Sequence, residues 1–349
     1  MGMSGKNNNN ASELPNPQTL MEAVRVFADQ DIALRCMSAL RWPFGHVCCP
    51  RCGSERVRFI GTRRVWECRE DHPCKRFSIK TGTVMEDSPL PLDTWLCGFW
   101  LEANAKNGIS SYEVHRALGI TQKSAWFMMH RVRLAMQTGS FTKMGGSGGT
   151  VEADETFIGG KARNMHKDRR ARVIIGTGVA GKTAVMGLLD RHSEKGKSKV
   201  RTFVVSNTKR KTLTPIVREH VEAGTNVYTD SLASYTGLAP DFAHDFVNHA
   251  EMYVKDNVHT NGLENFWALF KRCIKGTHVS IEPFHTFRYL DAEAFRFNNR
   301  ADNDGGRFIE AVKGIGGKRL TYKRLIGENE SGERIDDGNG EASESVPMN

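Results

Sequence analysis

The sequence predicts an α/β protein, with a sheet domain in the second half of the chain and a small metal-stabilised module before it. Thr150–Ile158 alternates apolar and acidic residues with the period of a strand. Segments with strand and helix periods then alternate as far as Phe297. Closely spaced cysteines before residue 75 indicate the module, and 349 residues are enough for two or three domains.

The charge of the chain is uneven. The total is +9, but Glu328–Asn349 carries seven acidic residues and one arginine, so the rest of the chain has a net charge of +15. Such a basic body favours a polyanionic partner, and nucleic acid comes first. No apolar run approaches the roughly 20 residues that span a bilayer, and the N-terminus lacks the apolar core of a signal peptide. We therefore expect a soluble, cytoplasmic protein with no membrane partner.

The N-terminal region combines helices with a cysteine cluster. Residues 1–17 are polar and predict disorder, and residues 18–90 form the next region. Gln18–Ala39 has helical apolar spacing with a break at Asp29–Asp31. A strand pair is predicted within Arg56–Glu67, and a further strand at Phe77–Val84.

The cysteines of this region have the spacing of a zinc ribbon. Two thiolates that flank two residues of a tight turn reach one zinc ion, and a second pair completes a tetrahedron. Clustered cysteines in a reducing compartment indicate metal ligands rather than disulfides; free buried cysteines are the alternative. The predicted ligands of a structural Zn²⁺ are Cys49, Cys52, Cys68 and Cys74. Two neighbours remain alternative ligands, namely His72 and Cys48.

Residues 91–137 predict a helix-turn-helix. The helix Leu92–Asn107 precedes two helices, Ser111–Ala117 and Gln122–Met136, which are joined by a short turn that contains Gly119. A recognition helix contacts base edges with its N-terminal residues. The residues of this region predicted to contact DNA are Gln122, Lys123, Ser124 and Arg131. The alternative is a helical hairpin that packs in a core, but the basic charge favours DNA contact.

A glycine-rich linker at residues 138–149 separates this region from the sheet domain, residues 150–300. Its predicted strands are Thr150–Ile158, Arg172–Val179, Lys182–Asp190, Val200–Ser206, Asn226–Thr229 and Phe246–His249. Its predicted helices are Thr212–Glu222, Asn261–Lys275 and Pro283–Phe297. Three adjacent strands followed by alternating helices and strands are typical of a ribonuclease-H-like α/β sheet. Residues 301–349 are a C-terminal extension with an acidic, disordered tail.

Three acidic residues fall on this frame where they can meet. Asp154 lies on the first, central strand, and Asp230 ends the strand expected beside it. Glu264 lies on the helix Asn261–Lys275, two turns before Lys271, so both side chains face the same way. Carboxylates hold Mg²⁺ or Mn²⁺, and two such ions assist phosphoryl transfer. The sequence therefore predicts a two-metal site.

The strand Thr150–Ile158 carries three acidic residues, and taken alone it is typical of an exposed strand end. Glu152 and Asp154 share a face, so Glu152 could also lie near the metal. Glu155 is expected to point elsewhere.

In combination these motifs resemble the DDE transposases of bacterial insertion sequences, in the group with an N-terminal zinc ribbon and an ISXO-like catalytic domain. The resemblance extends from about Gln18 to Arg300. It is carried by CPRCGS, CKRFSIKTGTVMEDSPLPLDTW, LGITQKSAWFMMHRVRLAM, VEADETFIGGK, VYTDSLASY, HTNGLENFWALFKRCIKGTHVS and FRFNNR.

The resemblance implies a catalytic triad that binds the metal ions, with basic residues beside it. The triad is Asp154, Asp230 and Glu264; Lys271 is the basic residue of the site, and both Lys271 and Arg272 would contact DNA. The family's Tyr-His pair after Gly-Thr is absent here, because His278 follows Thr277 directly. The implied activity is binding of an element's terminal inverted repeats, end cleavage and strand transfer into target DNA by a homo-oligomer.

Two other functions fit parts of the same pattern. A metal-dependent nuclease or junction resolvase on the same fold would share the acidic residues without strand transfer. A zinc-ribbon and helix-turn-helix regulator derived from a transposase would bind DNA without catalysis. The intact acidic triad argues against the second alternative.

Overall fold

The computed structural model of the chain describes residues 15–137, 142–159, 167–168, 181–193, 197–230, 233–247 and 258–328. These residues form two compact units. The first unit holds the chain up to Asn104, Ser111–Met136 and Asp302–Leu320. The second holds Ala105–Ser110, Gln137–Ala301 and the chain from Thr321. No helix in these ranges is both long and apolar enough to cross a membrane.

The helices and strands are numbered here in chain order. The helices are α1 (Leu20–Ala28), α2 (Gln30–Arg41), α3 (Leu92–Asn104), α4 (Ser111–Leu118), α5 (Gln122–Met136), α6 (Arg210–His220), α7 (Asn261–Cys273), α8 (Thr286–Asn298), α9 (Asp304–Lys313) and α10 (Tyr322–Leu325). The strands are β1 (Val57–Ile60), β2 (Val65–Cys68), β3 (Arg76–Phe77), β4 (Thr150–Ile158), β5 (Thr183–Ser193), β6 (Lys197–Val205), β7 (Asn226–Asp230) and β8 (Ala243–Val247).

The break predicted at Asp29–Asp31 lies between α1 and α2. Oδ1 of Asp29 accepts hydrogen bonds from the backbone N–H groups of Asp31 (2.8 Å) and Ile32 (3.0 Å). These bonds satisfy two of the donors that a helix leaves open at its start. A short acidic side chain thus ends one helix and begins the next.

The first unit includes a segment that the sequence assigned to the C-terminal extension. Phe308 of α9 is buried, and its ring lies 5.3 Å from that of Phe27 and 5.5 Å from that of Trp100. This aromatic cluster explains why Asp302–Leu320 packs in the first unit. A boundary after residue 300 therefore does not mark the end of ordered packing.

The small sheet of the first unit has the order β1-β2-β3 and is antiparallel. The prediction of a strand at Phe77–Val84 is wrong beyond Phe77. Successive tight turns follow, with hydrogen bonds from Thr81 N–H to Ser78 O (3.1 Å) and from Thr83 N–H to Lys80 O (3.2 Å). Backbone groups that bond locally in this way are not available to a sheet.

The helices α4 and α5 confirm the predicted pair and its turn. Gly119 has a φ of +66°, which glycine adopts without strain. Oγ1 of Thr121 accepts the N–H of Ser124 at 3.1 Å and so caps the start of α5. Thr121 therefore fixes where the second helix begins.

The second unit is built on a five-stranded mixed sheet of order β6-β5-β4-β7-β8. The strand β4 lies at its centre, antiparallel to β5 and parallel to β7. The predicted strand at residues 172–179 and the end of the one predicted at 246–249 lie outside the described residues. The other predicted strands are present with shifts of a few residues at their ends.

Helices cover both faces of this sheet. Val151 and Ala153 face a core that contains Leu213 and Val217 of α6. The opposite face packs against α7 and α8, with Leu263, Trp267 and Phe270 buried as their spacing predicts. Successive side chains of β4 therefore alternate between the two faces of the sheet, as the sequence predicted, but helices cover both faces.

A glycine brings α7 close to the sheet. Gly187 of β5 lies opposite Asp154 of β4. A Cβ atom at Gly187 would lie 2.7 Å from side-chain carbon atoms of both Leu263 and Trp267. The missing side chain thus lets α7 approach the strand that carries Asp154.

Candidate functional site

Two of the three predicted acidic residues meet at the edge of the large sheet. The parallel pairing of β4 and β7 runs as far as the pair Ala153–Thr229, so Asp154 and Asp230 follow side by side. One carboxylate oxygen each from Asp154, Glu155 and Asp230 lies within 4.8 Å of the other two. All three residues are partly buried. We refer to these three residues as the acidic cluster.

The prediction that Glu155 points elsewhere is wrong. The pairing between β4 and β7 ends at Ala153, so Glu155 lies beyond the last paired residue, beside the end of β7. A side chain at this position can reach Asp230 although it alternates with Asp154 along the strand. The strand period alone does not reveal this, because it describes positions inside a continuous sheet.

Two carboxylates of the acidic cluster, those of Asp154 and Glu155, have raised pKa values. Burial, followed by the charge of Asp230, raises the pKa of Asp154 to about 6. Burial, with the charges of Asp230 and Asp154, raises the pKa of Glu155 to about 7. The indole N–H of Trp267 donates to Oδ2 of Asp154 at 3.0 Å and partly offsets the increase at that carboxylate. Like charges in a desolvated place produce this pattern.

Two buried polar atoms beside the acidic cluster make no hydrogen bond of ordinary geometry among the described residues, although the Tyr235 side chain interacts with the Glu155 carboxylate and partly offsets the rise in the pKa of Glu155. They are Oε1 of Glu155 and the hydroxyl oxygen of Tyr235. Tyr235 is almost completely buried, and its pKa is raised well above the usual value by burial and by the charge of Glu155. Buried polar atoms normally have partners. The sequence contains no local signal for Tyr235, which ends the short 3₁₀ helix Ala233–Tyr235.

Glu152 does not belong to the acidic cluster. It is buried, and its Oε1 accepts Nε–H of Arg191 at 2.7 Å. Its Oε2 accepts the backbone N–H of Leu263 at 2.9 Å. Both oxygens of Glu152 are therefore engaged by Arg191 and by α7, and the suggested position of Glu152 near the metal is not observed. No role for Arg191 is predicted from the sequence.

Glu264 and Lys271 lie two turns apart on α7, and both are exposed. Glu264 is outside the group of mutually close carboxylates. Its charge nevertheless contributes to the raised pKa of Asp154. The helix thus brings Glu264 near the acidic cluster, while Lys271 and the exposed Arg272 lie about two turns further along the same helix.

The acidic cluster fits a divalent cation such as Mg²⁺ or Mn²⁺. Its donors are carboxylate oxygens, which these hard cations prefer. One of them, Oε1 of Glu155, is a buried acceptor that makes no hydrogen bond of ordinary geometry in the described part of the chain, and Tyr235 is the side chain that interacts with this carboxylate. A cation would offset the repulsion that raises the pKa of Asp154 and Glu155.

A second candidate metal site lies in the small sheet of the first unit. Its donor atoms lie within 4.8 Å of one another and belong to Cys49, Cys52, Cys68 and His72. The sulfur atoms of Cys52 and Cys68 are 3.6 Å apart, and Sγ of Cys49 is 3.5 Å from Nε2 of His72. Tetrahedral zinc with ordinary bond lengths separates such ligand atoms by about 3.5–3.8 Å. The donors therefore fit Zn²⁺.

The prediction of Cys74 as a zinc ligand is wrong in this geometry, and the alternative His72 takes its place. Cys74 is exposed and has a φ of +57°. Nδ1 of His72 lies 2.8 Å from the carbonyl oxygen of Pro73. A proton on Nδ1 that is donated to this oxygen leaves Nε2 free to bind metal. The five residues between Cys68 and Cys74 form a loop that is long enough for His72, rather than Cys74, to face Cys49, Cys52 and Cys68.

The surroundings of Cys49 lower the pKa of its thiol and so favour the thiolate. Burial raises its pKa, but the backbone N–H groups of Arg51 and Cys52 outweigh burial and lower the pKa to about 7. A thiolate is the form that binds a metal ion. This environment therefore agrees with the zinc fit.

The predicted DNA-contacting residues of α5 separate into two groups. Lys123 is exposed, whereas Nε2 of Gln122 donates to Oγ of Ser111 at 3.0 Å and Ser124 contacts Thr121. Arg131 is buried at 6% exposure, and it donates to the carbonyl oxygens of Leu320 (3.0 Å) and Glu86 (3.0 Å). The assignment of Arg131 to DNA is therefore wrong.

Two parts of the chain match models of transposase domains. Residues 147–298 match the model of the ISXO2-like transposase domain. Residues 28–76 match the model of the transposase zinc-ribbon domain.

A relative from Haemophilus influenzae supports the same family. It is described as an uncharacterized transposase-like protein, and it is 38% identical over 104 residues, which is 30% of this chain and 84% of the relative. The chain therefore belongs to the transposase family with a zinc ribbon and an ISXO2-like domain.

Proposed function

We propose that this chain is a DDE transposase with a ribonuclease-H-like catalytic domain. The observation that carries the proposal is the acidic cluster of Asp154, Glu155 and Asp230, at the junction of the antiparallel and parallel parts of the sheet. The order of three antiparallel strands followed by two parallel ones supports the fold assignment. Family membership supports the activity.

The residues that would hold Mg²⁺ or Mn²⁺ are Asp154, Asp230 and Glu264. Glu155 is added to this set because one of its carboxylate oxygens lies within 4.8 Å of oxygens of Asp154 and Asp230. When bound, two such ions supply Lewis-acid stabilisation to the attacking and leaving oxygens of a phosphoryl transfer. A structural Zn²⁺ would be held by Cys49, Cys52, Cys68 and His72.

The surrounding side chains would orient the acidic cluster and the DNA. Trp267 fixes one oxygen of Asp154 by its indole hydrogen bond. Lys271 and Arg272 are exposed on the helix that carries Glu264, where they can contact phosphates. Lys123, near the start of α5, is the side chain best placed to contact DNA in a helix-turn-helix arrangement.

The reaction we propose is cleavage at the ends of an insertion sequence followed by strand transfer. The protein would bind terminal inverted repeats of double-stranded DNA and free a 3′-hydroxyl at each end. Water would be the nucleophile of this first step, which breaks one P–O bond at each end. Each freed 3′-hydroxyl would then attack a phosphodiester of the target DNA, forming a new P–O bond and displacing the 3′-oxygen of the target strand, which leaves as a 3′-hydroxyl. Joining two ends needs more than one subunit, so we propose a homo-oligomer on DNA.

The test uses purified protein, Mn²⁺ and a duplex that carries the element's end. We expect Asp154→Asn and Asp230→Asn to abolish cleavage and strand transfer. Asp245→Asn, an exposed aspartate on β8, is the matched control and should leave both activities intact. Undiminished cleavage by the Asp154 and Asp230 variants would remove the proposed catalytic site.

A nuclease or resolvase on the same fold is the alternative that the acidic cluster also supports. Such an enzyme would cut DNA but would not join the cut ends to a target plasmid. A regulator without catalysis would bind DNA equally well with and without Mn²⁺ and would not cut it. The joined product therefore distinguishes the three functions.

A further inference from the structure

A buried ion pair lies next to the acidic cluster and is not explained by metal binding. Glu152 is 1% exposed and Arg191 is 14% exposed. Nε–H of Arg191 donates to Oε1 of Glu152 at 2.7 Å. Removing two charges from water is costly unless further hydrogen bonds compensate. The other contacts of the pair therefore indicate what it does.

Both members of the pair hold the chain at the start of α7. Nη2 of Arg191 donates to the carbonyl oxygen of His259 at 2.6 Å and lies 2.7 Å from Nδ1 of the same residue. Oε2 of Glu152 accepts the N–H of Leu263 at 2.9 Å. The pair thus grips the backbone on each side of Thr260, the residue that precedes α7.

The contact with Leu263 replaces an ordinary helix cap. Thr260 occupies the N-cap position, but its side chain makes no capping hydrogen bond. The N–H of Leu263, the third residue of α7, is one that an N-cap side chain normally binds. A carboxylate from β4 binds it instead, and its negative charge also suits a helix N-terminus.

The sequence of α7 is adapted to this approach. A Cβ atom at Gly262 would lie 2.8 Å from Oε2 and 3.1 Å from Oε1 of Glu152. The carboxylate can therefore reach the helix only because residue 262 has no side chain. The guanidinium of Arg191 also lies over the ring of Tyr228, 5.0 Å from its centroid, which holds it against β7.

The same helix carries two groups that concern the acidic cluster. Glu264 directly follows Leu263, and Trp267 donates its indole N–H to Asp154. The strand β4 therefore contacts α7 twice, through Glu152 at the first turn and through Asp154 at Trp267. Because these two contacts lie at different points along α7, they fix both the position of the helix along its axis and its rotation about that axis relative to Asp154.

We propose that Glu152 and Arg191 are positioning residues, which form a buried clasp that holds the first turn of α7 and thereby places Glu264 beside Asp154 and Asp230. The proposal rests on the proposed function only for the role of Glu264. The clasp itself consists of the contacts to His259 and Leu263.

The test compares Glu152→Gln, Glu152→Ala and the unchanged full-length protein. Glutamine keeps an acceptor for Leu263 N–H and loses the charge, whereas alanine loses both. We expect hydrogen exchange in peptides that cover residues 258–266 to be faster by about tenfold in Glu152→Ala, since one backbone bond is lost. Glu152→Gln should give a smaller increase. Exchange in the C-terminal half of α7 should remain slow in both variants.

A matched control removes a buried ion pair elsewhere in the same unit. Glu293 pairs with Arg296 within α8 and is 4% exposed. Glu293→Gln should not accelerate exchange at residues 258–266. Equal acceleration there in Glu293→Gln and Glu152→Gln would overturn the clasp, because general loss of stability would then explain both.

A second measurement tests how loss of the clasp affects metal binding by the acidic cluster. We expect Glu152→Ala to weaken Mn²⁺ binding in calorimetry by about three- to tenfold, and to lower kcat more than it raises KM. Wild-type exchange and wild-type Mn²⁺ affinity in Glu152→Ala would overturn the proposal. If the unchanged protein fails to cleave DNA while exchange responds as expected, the proposed function fails and the clasp stands.

Discussion

The indole Nε1 of Trp267 donates a hydrogen bond of 3.0 Å to Oδ2 of Asp154. This bond joins the central strand β4 to the helix α7 and lowers the pKa of a carboxylate that burial otherwise raises. Trp267 is therefore part of the site as well as part of the core.

Trp267→Phe should raise the pKa of Asp154 further above about 6, because the donor that favours the charged form is lost. We expect the pH midpoint of Mn²⁺ binding to move up by about one unit, which corresponds to about 1.4 kcal/mol. Calorimetric titrations between pH 5 and 8 measure this shift. Trp95→Phe is the matched control, since Trp95 is a buried indole that donates to Ser88 at 3.1 Å in the other unit. An unchanged midpoint in Trp267→Phe would show that the bond does not tune Asp154.

The stability of the second unit should depend on pH and on cations together. The pKa of Asp154 is raised to about 6 and that of Glu155 to about 7, both above their values of 3.8 and 4.5 in an unfolded chain. A raised pKa contributes stability that is complete below about pH 4 and is lost as pH rises through 6 to 7. The charges of Asp230 and Glu264 act in the same direction on Asp154.

We therefore expect the unfolding free energy without divalent cations to fall between pH 4 and pH 8, and Mn²⁺ to restore it most strongly at the upper end. Thermal unfolding with and without Mn²⁺ at each pH measures both effects. The double variant Asp154→Asn, Glu155→Gln should show a flatter dependence. An Mn²⁺ effect in wild type that is the same at pH 5 and pH 8 would contradict the coupling.

Much of this site follows from local patterns in the sequence. The strand bearing Asp154 and the stripe of Leu263, Trp267 and Phe270 are defined by their periods, so the sheet face and the buried face of α7 could be predicted. The pairing of Asp154 with Asp230 required only the strand order of the fold.

Other features depend on where the pairing of two strands ends or on contacts between residues distant in sequence. The periodicity of apolar residues in the sequence does not contain this information. Glu155 joins the acidic cluster because the β4–β7 ladder ends one residue earlier than Asp154. The prediction of DNA contact for Arg131 rests on its being a basic residue of the second helix, but Arg131 is buried by contacts with Leu320 and Glu86, distant in sequence. The packing of α9 in the first unit likewise depends on a contact between Phe308 and Phe27, which are 281 positions apart in the sequence.

The zinc site offers a direct choice between two ligands. His72→Ala should lower zinc affinity by more than the roughly 10- to 100-fold that loss of an outer partner costs, because a ligand itself is removed. Cys74→Ala should retain one zinc per chain, since Cys74 is exposed and outside the donor group. Metal analysis after dialysis against a weak chelator measures both. Retained zinc in His72→Ala with loss in Cys74→Ala would restore the four-cysteine assignment.

DNA affinity and stability should respond to different basic residues of α5. Lys123→Ala should weaken DNA binding and reduce the salt slope by about one, because an exposed phosphate contact is lost. Arg131→Ala should leave the salt slope unchanged and lower the unfolding free energy by about 1–3 kcal/mol, because two carbonyl oxygens lose a buried donor. Fluorescence anisotropy over a salt series and denaturant titrations make the comparison. A lower salt slope in Arg131→Ala would mean that Arg131 contacts DNA after all.

Glu155→Gln tests whether the acidic cluster uses the residue that the strand period excludes. Glutamine keeps the shape but removes a charge that burial and two neighbouring carboxylates already disfavour. Without cations the variant should therefore unfold at a higher temperature than the unchanged protein at pH 8. Its Mn²⁺ affinity should fall by about tenfold, because one anionic oxygen is lost from the group. Glu219→Gln, a change outside the acidic cluster, should alter neither quantity. A stabilised Glu155→Gln with full Mn²⁺ affinity would place Glu155 outside the metal site while leaving its repulsion with Asp154 and Asp230 intact.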